Sequence, residues 1–467
     1  MVRNLSRRTF IKLLGVSSAV ACLAACAPKA PTVAPATAAP AAEPTKPKAT
    51  PQPAAKEPIT IQVWNHQSVE DPNRKNSEKR FAESFQPKWP HVSLQWEQIS
   101  GGEMVTKLRT AAVAGTPPDI GWMGDYIFEF AQNKWVFPAP DDFQARVLQE
   151  CFETAWKPGM YQGKLYGSPS WYALGPGYVM INKGLAEEAG LDLKNPPTDW
   201  AGLTAWGQKA AKWEGESMVR LGLGHGIFTG ATPAGQYALW ASKVWSAGGE
   251  LFDEGLTKAL FNSEAGIEAI KIARTILKEA KACSAGFIPD NEAMYTNKGV
   301  MWVANTSWGA WLHLTVLKQD EKGAIPKELL PVIKYHYIPL PTIKDSVAVA
   351  GTSYWSVMTP KPERQVVAWA LLEDWYNQYQ QATEPVGAGN YIPWFKGQLE
   401  IEPWKSDQQW QVALKAAAKS RFLPLSPKAN ELRNAISNEL WEAIVKDKDP
   451  KQAIQDAAAA AEKILKD

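Results

Sequence analysis

Six stretches of this chain set aromatic side chains beside amide, hydroxyl or carboxylate groups, each in or directly after a segment that reads as a β-strand. They are Trp64-Asn65-His66-Gln67, Gly121 to Asp125, Trp171-Tyr172, Thr306 to Trp311, Tyr354-Trp355 and Tyr391 to Trp394. Flat indole and phenol rings offer faces to apolar C–H patches, while amides, carboxylates and hydroxyls satisfy a rim of hydroxyl groups. A sugar ring presents both surfaces at once, so this interleaving suits capture of a carbohydrate. The candidate contacts are Trp64, Asn65, His66, Trp122, Asp125, Trp171, Tyr172, Thr306, Trp308, Trp311, Tyr354, Trp355, Tyr391 and Trp394.

Of the 22 tryptophans, several fall at helical spacing and belong to the core instead: Trp200, Trp206, Trp213, Trp369, Trp375 and Trp441. Asp119 reads as a turn residue that bonds its own backbone. His225, in a glycine cluster, is left out of the site.

Other chemistries find less support. The five histidines (His66, His91, His225, His313, His336) show neither H-x-H nor H-E-x-x-H spacing, so no metal site is expected. There is no G-x-S-x-G elbow and no phosphate-cradling glycine loop. A glycoside hydrolase would need two carboxylates about 5 to 10 Å apart, and no local motif selects such a pair among the 48 acidic residues. No cofactor and no enzymatic activity are expected. The formal charge of +2 becomes 2 − 4 = −2 once Arg3, Arg7, Arg8 and Lys12 leave with the leader, which argues against a nucleic-acid surface.

These loops must be held by an α/β framework. Ile59, Ile61 and Val63 alternate with polar residues in a first strand. A helix with Phe81 and Phe85 follows, then a strand with Val92, Leu94 and Trp96, and a helix over 102–114. Strand and helix in this alternation imply a parallel layer. Further on come a short apolar strand, Tyr178 to Asn182, and a helix ending at Gly190. After the rigid Asn195-Pro196-Pro197-Thr198 turn, Thr198 is placed to cap the next helix, whose apolar face is Trp200, Leu203, Trp206, Ala210 and Trp213. About 400 residues exceed one ordinary core, so two lobes are expected.

The start of the chain is read as an export signal, Met1 to Cys26. Ser6-Arg7-Arg8-Thr9-Phe10-Ile11-Lys12 matches the twin-arginine pattern, and Leu23-Ala24-Ala25-Cys26 resembles a lipobox whose cysteine is acylated. Residues 27–58, rich in Ala, Pro, Thr and Lys, read as a disordered tether reaching on the order of 100 Å. The two remaining cysteines, Cys151 and Cys283, are expected to be unpaired.

Several ordered strings point to a known family. Tyr166-Gly167-Ser168-Pro169 leads into the strand ending Ile181-Asn182-Lys183, followed by Glu187-Glu188-Ala189-Gly190-Leu191-Asp192 and Pro196-Pro197-Thr198-Asp199-Trp200. Ala114-Gly115-Thr116-Pro117-Pro118-Asp119-Ile120 and Asn297 to Val303 extend the match. Together they resemble the extracellular solute-binding proteins of carbohydrate ABC importers, the maltose-binding-protein-like family. The resemblance implies a type II periplasmic-binding-protein fold: two α/β lobes joined by crossing hinge strands, with the ligand cleft between them. It implies lobe one at 59–172 and 348–381, and lobe two at 173–347 and 382–467. By the same resemblance Trp308 is a stacking residue, and Trp122 and Asp125 supply stacking and hydroxyl bonding.

The function so implied is capture of a sugar or oligosaccharide by lobe closure and its delivery to the ABC permease subunits. The protein would be a monomer, lipid-anchored on the outer face of the cytoplasmic membrane. A binder of iron, a polyamine or a peptide on the same fold is the alternative, and it predicts a charged cleft. An exported glycoside hydrolase is the more distant one.

Overall fold

In the computed structural model, described residues are 57–66, 72–124, 126–225, 233–306, 309, 312, 333–381 and 392–466. The expected signal at 1–26, its Cys26, and nearly all of the tether lie outside them.

Lobe one opens with strand β1 (Ile59–Asn65), then the helix Pro72–Arg80 and a π-helical turn, Phe81–Phe85, that buries both phenylalanines. Strand β2 (Val92–Gln98), the helix Gly101–Val113 and strand β3 (Ile120–Met123) follow. β1 pairs in parallel with both β2 and β3. Ile61 and Val63, the apolar half of the alternation in β1, are completely buried, as a period of two requires when one face meets the core.

The helix Asp141–Glu150, a small hairpin of β4 (Met160–Tyr161) and β5 (Lys164–Leu165), and strand β6 (Ser168–Leu174) complete the first passage. The chain then crosses through Gly175-Pro176-Gly177 into lobe two.

Strand β7 (Tyr178–Asn182) is buried at all five positions. The following helix, Trp200–Ala210, is capped by Asp199, whose carboxylate accepts the Gly202 N–H at 2.7 Å. Thr198, the expected cap, instead uses its carbonyl to accept from Thr342. Strands β8 (Lys212–Glu214) and β9 (Ser217–Gly224), the helix Pro233–Ser246, the helix Glu264–Arg274 and strand β10 (Gly299–Ala304) follow. Strand β11 (Tyr335–Ile338) closes a five-stranded sheet in the order β11-β7-β10-β9-β8.

A second crossing leads to β12 (Val349–Val357), which runs antiparallel to β3 and β6 in the first sheet. The 20-residue helix Pro362–Gln381 packs on this sheet. After a third crossing, strand β13 (Arg421–Phe422) pairs with the start of β12, and the helices Ala429–Ile444 and Pro450–Lys466 finish lobe two. The sheet order in lobe one is β13-β12-β3-β1-β2, with β6 on β12.

The crossing at 382 needs correcting. The Phe152 N–H donates to the Trp394 carbonyl at 2.9 Å, Phe395 bridges Cys151, and Gln398 donates to the Tyr379 carbonyl at 2.8 Å. Residues 392–400 therefore belong to lobe one. Among the described residues, no helix is long and apolar enough to cross a membrane.

Candidate functional site

In open α/β sheets, ligands sit beyond the carboxyl ends of the strands. In lobe one these are the ends of β1 and β3. There the exposed His66 and the half-buried Trp122 come together, with ring centroids 4.2 Å apart at a 48° tilt. Trp64 is half-buried against the Met104–Leu108–Phe130 cluster. Asn65 is buried. Gly124 stands at the rim of β3, and a β-carbon there would lie 3.9 Å from the Ser353 hydroxyl.

Because β12 pairs with β3 only from Tyr354 onward, its first five residues run past the end of β3 toward lobe two. A crevice lies over them. Its walls are Pro158 and residues 350–352 from lobe one, 422–425 beside β13, and Tyr237, Leu432 and Arg433 from two helices of lobe two. The buried Tyr237 hydroxyl has no hydrogen-bond partner among the described residues. At about 20 Å³ the crevice has room for a water and not for a sugar ring in this arrangement of the lobes. Sequence reasoning missed Tyr237 because the helix Pro233–Ser246 is buried from Gln236 onward on every side. It therefore shows no amphipathic period to draw attention to it.

Several expected contacts are packing residues instead. Trp355 packs against Trp375 and, edge-on, against Trp96, with centroids 5.1 and 6.3 Å away, and is 2% exposed. Tyr354 is fully buried, its hydroxyl donating to the Ala155 carbonyl at 2.9 Å. Trp394 packs edge-on to Tyr379 at 5.5 Å with no exposed surface. Tyr172 is buried as well, and burial raises its pKa. For Tyr172, Tyr354 and Trp355 the physical reason is shared: β6 and β12 are covered on both faces, so alternation along them does not produce a ligand-facing side. Trp394 instead lies outside the strands, its carbonyl accepting from the Phe152 N–H and its ring against Tyr379. Thr306 is buried and its hydroxyl accepts the Leu174 N–H at 2.8 Å. Asp125, Trp308, Trp311, Tyr391 and the side chain of Trp171 lie outside the described residues.

Asp119 also differs from expectation. Arg364 grips it with Nε on Oδ1 at 2.6 Å and a second N–H on Oδ2, while Asp119 accepts the Gln62 N–H at 2.8 Å. It ties β1, β3 and the helix Pro362–Gln381 at the end of the sheet remote from the cleft.

Lobe two holds an unusual polar group one residue past β9. His225 is buried, and neither ring nitrogen has a hydrogen-bond partner among the described residues. Its ring meets the edge of Trp200 at 5.5 Å. The ammonium of the buried Lys243 sits 4.3 Å over the same indole and donates to the Leu239 carbonyl at 3.1 Å. Burial, reinforced by the neighbouring Lys243, pushes the His225 pKa well below its usual range, and burial alone lowers that of Lys243. Cys151 and Cys283 are unpaired and buried, and desolvation pushes the Cys151 thiol up to about 12. Among the described residues no group of acidic, histidine or cysteine side chains could hold a metal ion.

Two α/β sheets joined by three crossings, with a crevice walled by residues of both lobes, define a two-lobed solute-binding fold. The profile of the bacterial extracellular solute-binding protein family matches residues 80–412. The chain belongs to that family and is a binding protein, not an enzyme. Binding proteins of Brucella abortus (strain 2308) and Brucella suis biovar 1 (strain 1330) are each 23% identical over 398 residues, covering 82% of this chain and 88% of theirs. Among solved structures, the chain resembles the cyclic α-maltosyl-1,6-maltose binding protein of Arthrobacter globiformis (20% identity, TM-score 0.68, 88% of this chain and 99% of that one). It also resembles an ABC transporter solute-binding protein of Thermotoga lettingae bound to α-D-tagatose (19% identity, TM-score 0.70, 88% and 100%). The maltotriose-bound maltose/maltodextrin-binding domain of Bdellovibrio bacteriovorus is a third (16% identity, TM-score 0.68, 87% and 100%).

Proposed function

We propose that this protein is the substrate-binding lipoprotein of an ABC importer, and that it captures a sugar or oligosaccharide between its lobes and passes it to a membrane permease. The observation that carries this reading is the crevice at the crossings. Tyr237, Phe422, Thr352 and the loop 423–425 give it aromatic, hydroxyl and apolar surface, and Arg433 is the single charged residue lining it. A binder of iron or a polyamine would need a charged cleft. The neighbours bound to tagatose and maltotriose share the fold and lend the sugar reading further support.

Ligand touching both lobes favours the closed form to the extent that closure adds contacts. Indole and phenol faces of Trp122, Trp308 and Tyr237 supply stacking, with Asp125 and Thr352 bonding the hydroxyl rim. Cys26 carries the lipid, and the Ala/Pro segment tethers the lobes outside the cytoplasmic membrane within reach of the permease.

The test is a thermal-shift screen of mono- and oligosaccharides with product analysis. A rise in Tm without turnover supports the proposal. No response to any sugar, or cleavage of one, contradicts it.

A further inference from the structure

The first crossing is held at both ends by one residue of the other sheet's loop. Thr306, two residues beyond β10, accepts the N–H of Leu174, the last residue of β6, at 2.8 Å through its hydroxyl. Its carbonyl accepts from the hydroxyl of Tyr178, the first residue of β7, at 3.4 Å. Three residues of crossing, Gly175-Pro176-Gly177, lie between these two anchors. Gln409, at the start of the helix on the third crossing's return, donates to the same Tyr178 hydroxyl at 2.7 Å. All three side chains are fully buried.

The packing admits little else. A β-carbon on Gly177 would lie 2.2 Å from the Thr306 methyl, and one on Gly309 would lie 2.2 Å from the Tyr178 hydroxyl. The crossing backbone is fixed as well: Gly175 donates to the Val349 carbonyl at 2.8 Å and Gly177 to the Ala304 carbonyl at 3.0 Å. Buried hydrogen bonds without access to water are costly to break, because each would leave an unsatisfied group. Bending of the lobes is therefore confined to backbone outside this node or must open it.

We infer that Thr306, Tyr178 and Gln409 form a clasp over the first crossing that sets how far the lobes open. Thr306 is a positioning residue and does not touch the solute. The inference rests on the reading that the lobes move, but not on the identity of what they bind.

The experiment measures the distance between spin labels on cysteines introduced at two exposed sites, Lys79→Cys in lobe one and Glu268→Cys in lobe two, in the full-length protein without any sugar. Cys151 and Cys283 are buried, and Cys22 and Cys26 are replaced by Ser, so that only the two introduced cysteines take the label. Wild type and Thr306→Ser, which keeps the hydroxyl, are expected to give one narrow distribution. Thr306→Val and Tyr178→Phe should broaden it or move its maximum by several ångströms while the proteins stay folded. A folded Thr306→Val with the wild-type distribution would overturn the clasp. If Thr306→Val does not fold, Tyr178→Phe decides in the same way. Because no sugar is present, failure of the carbohydrate screen leaves this outcome untouched, and the two proposals fail separately.

Discussion

The two lobes bury their large aromatics in different company. In lobe one, Trp96 stacks on Trp375 at 5.5 Å and 20°, with Trp355 tilted against Trp375 at 5.1 Å. The groups that touch the triad are of types that ordinarily titrate far above neutrality: the Tyr379 hydroxyl accepts the Trp355 N–H at 3.4 Å, and the Arg74 guanidinium lies over the Trp96 ring. The lobe's buried carboxylate, Asp119, is answered by a guanidinium and a backbone amide. In lobe two, Trp200 instead shares its surroundings with an ammonium and an imidazole. One core relies on dispersion and area, the other carries groups whose charged forms are penalised by burial. Lobe one should therefore be indifferent to pH near neutrality, and lobe two should not.

The contrast can be broken most sharply in lobe one. Trp375→Ala removes the middle ring of the triad and should cost about 3–5 kcal/mol, the usual range for deleting a buried tryptophan, read by urea unfolding. A loss below 1 kcal/mol would mean the triad is not a core. Asp119→Ala leaves Arg364 partly buried without its partner, and about 3 kcal/mol is expected from breaking such a pair, measured the same way.

The pH dependence sharpens the other side. The folded pKa of His225 lies below its unfolded value near 6.5, so the unfolded chain binds more protons between the two. Stability is then fully present above pH 6.5 and declines as pH falls below it, by up to about 1.4 kcal/mol per pH unit. His225→Leu should flatten that slope between pH 6.5 and 5, whereas an unchanged slope would assign the acid sensitivity elsewhere. Lys243→Met has the smallest expected effect. Replacing a buried ammonium that lacks a carboxylate partner in these contacts by an apolar chain of similar length should be neutral, or stabilising by about 1 kcal/mol. A strong loss of stability would show that the ammonium–indole contact outweighs its desolvation.

The framework was legible where the chain is periodic. β1, β2 and the helix over Gly101–Val113 coincide with the expected segments within one or two residues, because each has one buried face and the pattern records it, while β7, buried throughout, was legible as a short apolar run. The helix Pro233–Ser246 left no such trace, being enclosed on all sides. Within the candidate site, His66 and Trp122 do meet at the strand ends. Tyr354, Trp355 and Trp394 carry the same residue types in similar local sequence but are turned into the core of lobe one. Local composition cannot separate these cases, since the side on which a strand residue points is fixed by what covers each face of the sheet. The Asp199 cap shows the same limit on a smaller scale: Thr198 and Asp199 are both good caps, and the turn geometry chose between them.

The central claim is that two lobes close on a carbohydrate. Small-angle scattering of the purified protein, titrated with the sugar that gives the largest thermal shift, tests it most directly. The account predicts a fall in radius of gyration that saturates with the sugar. An unchanged radius at saturating sugar would contradict it.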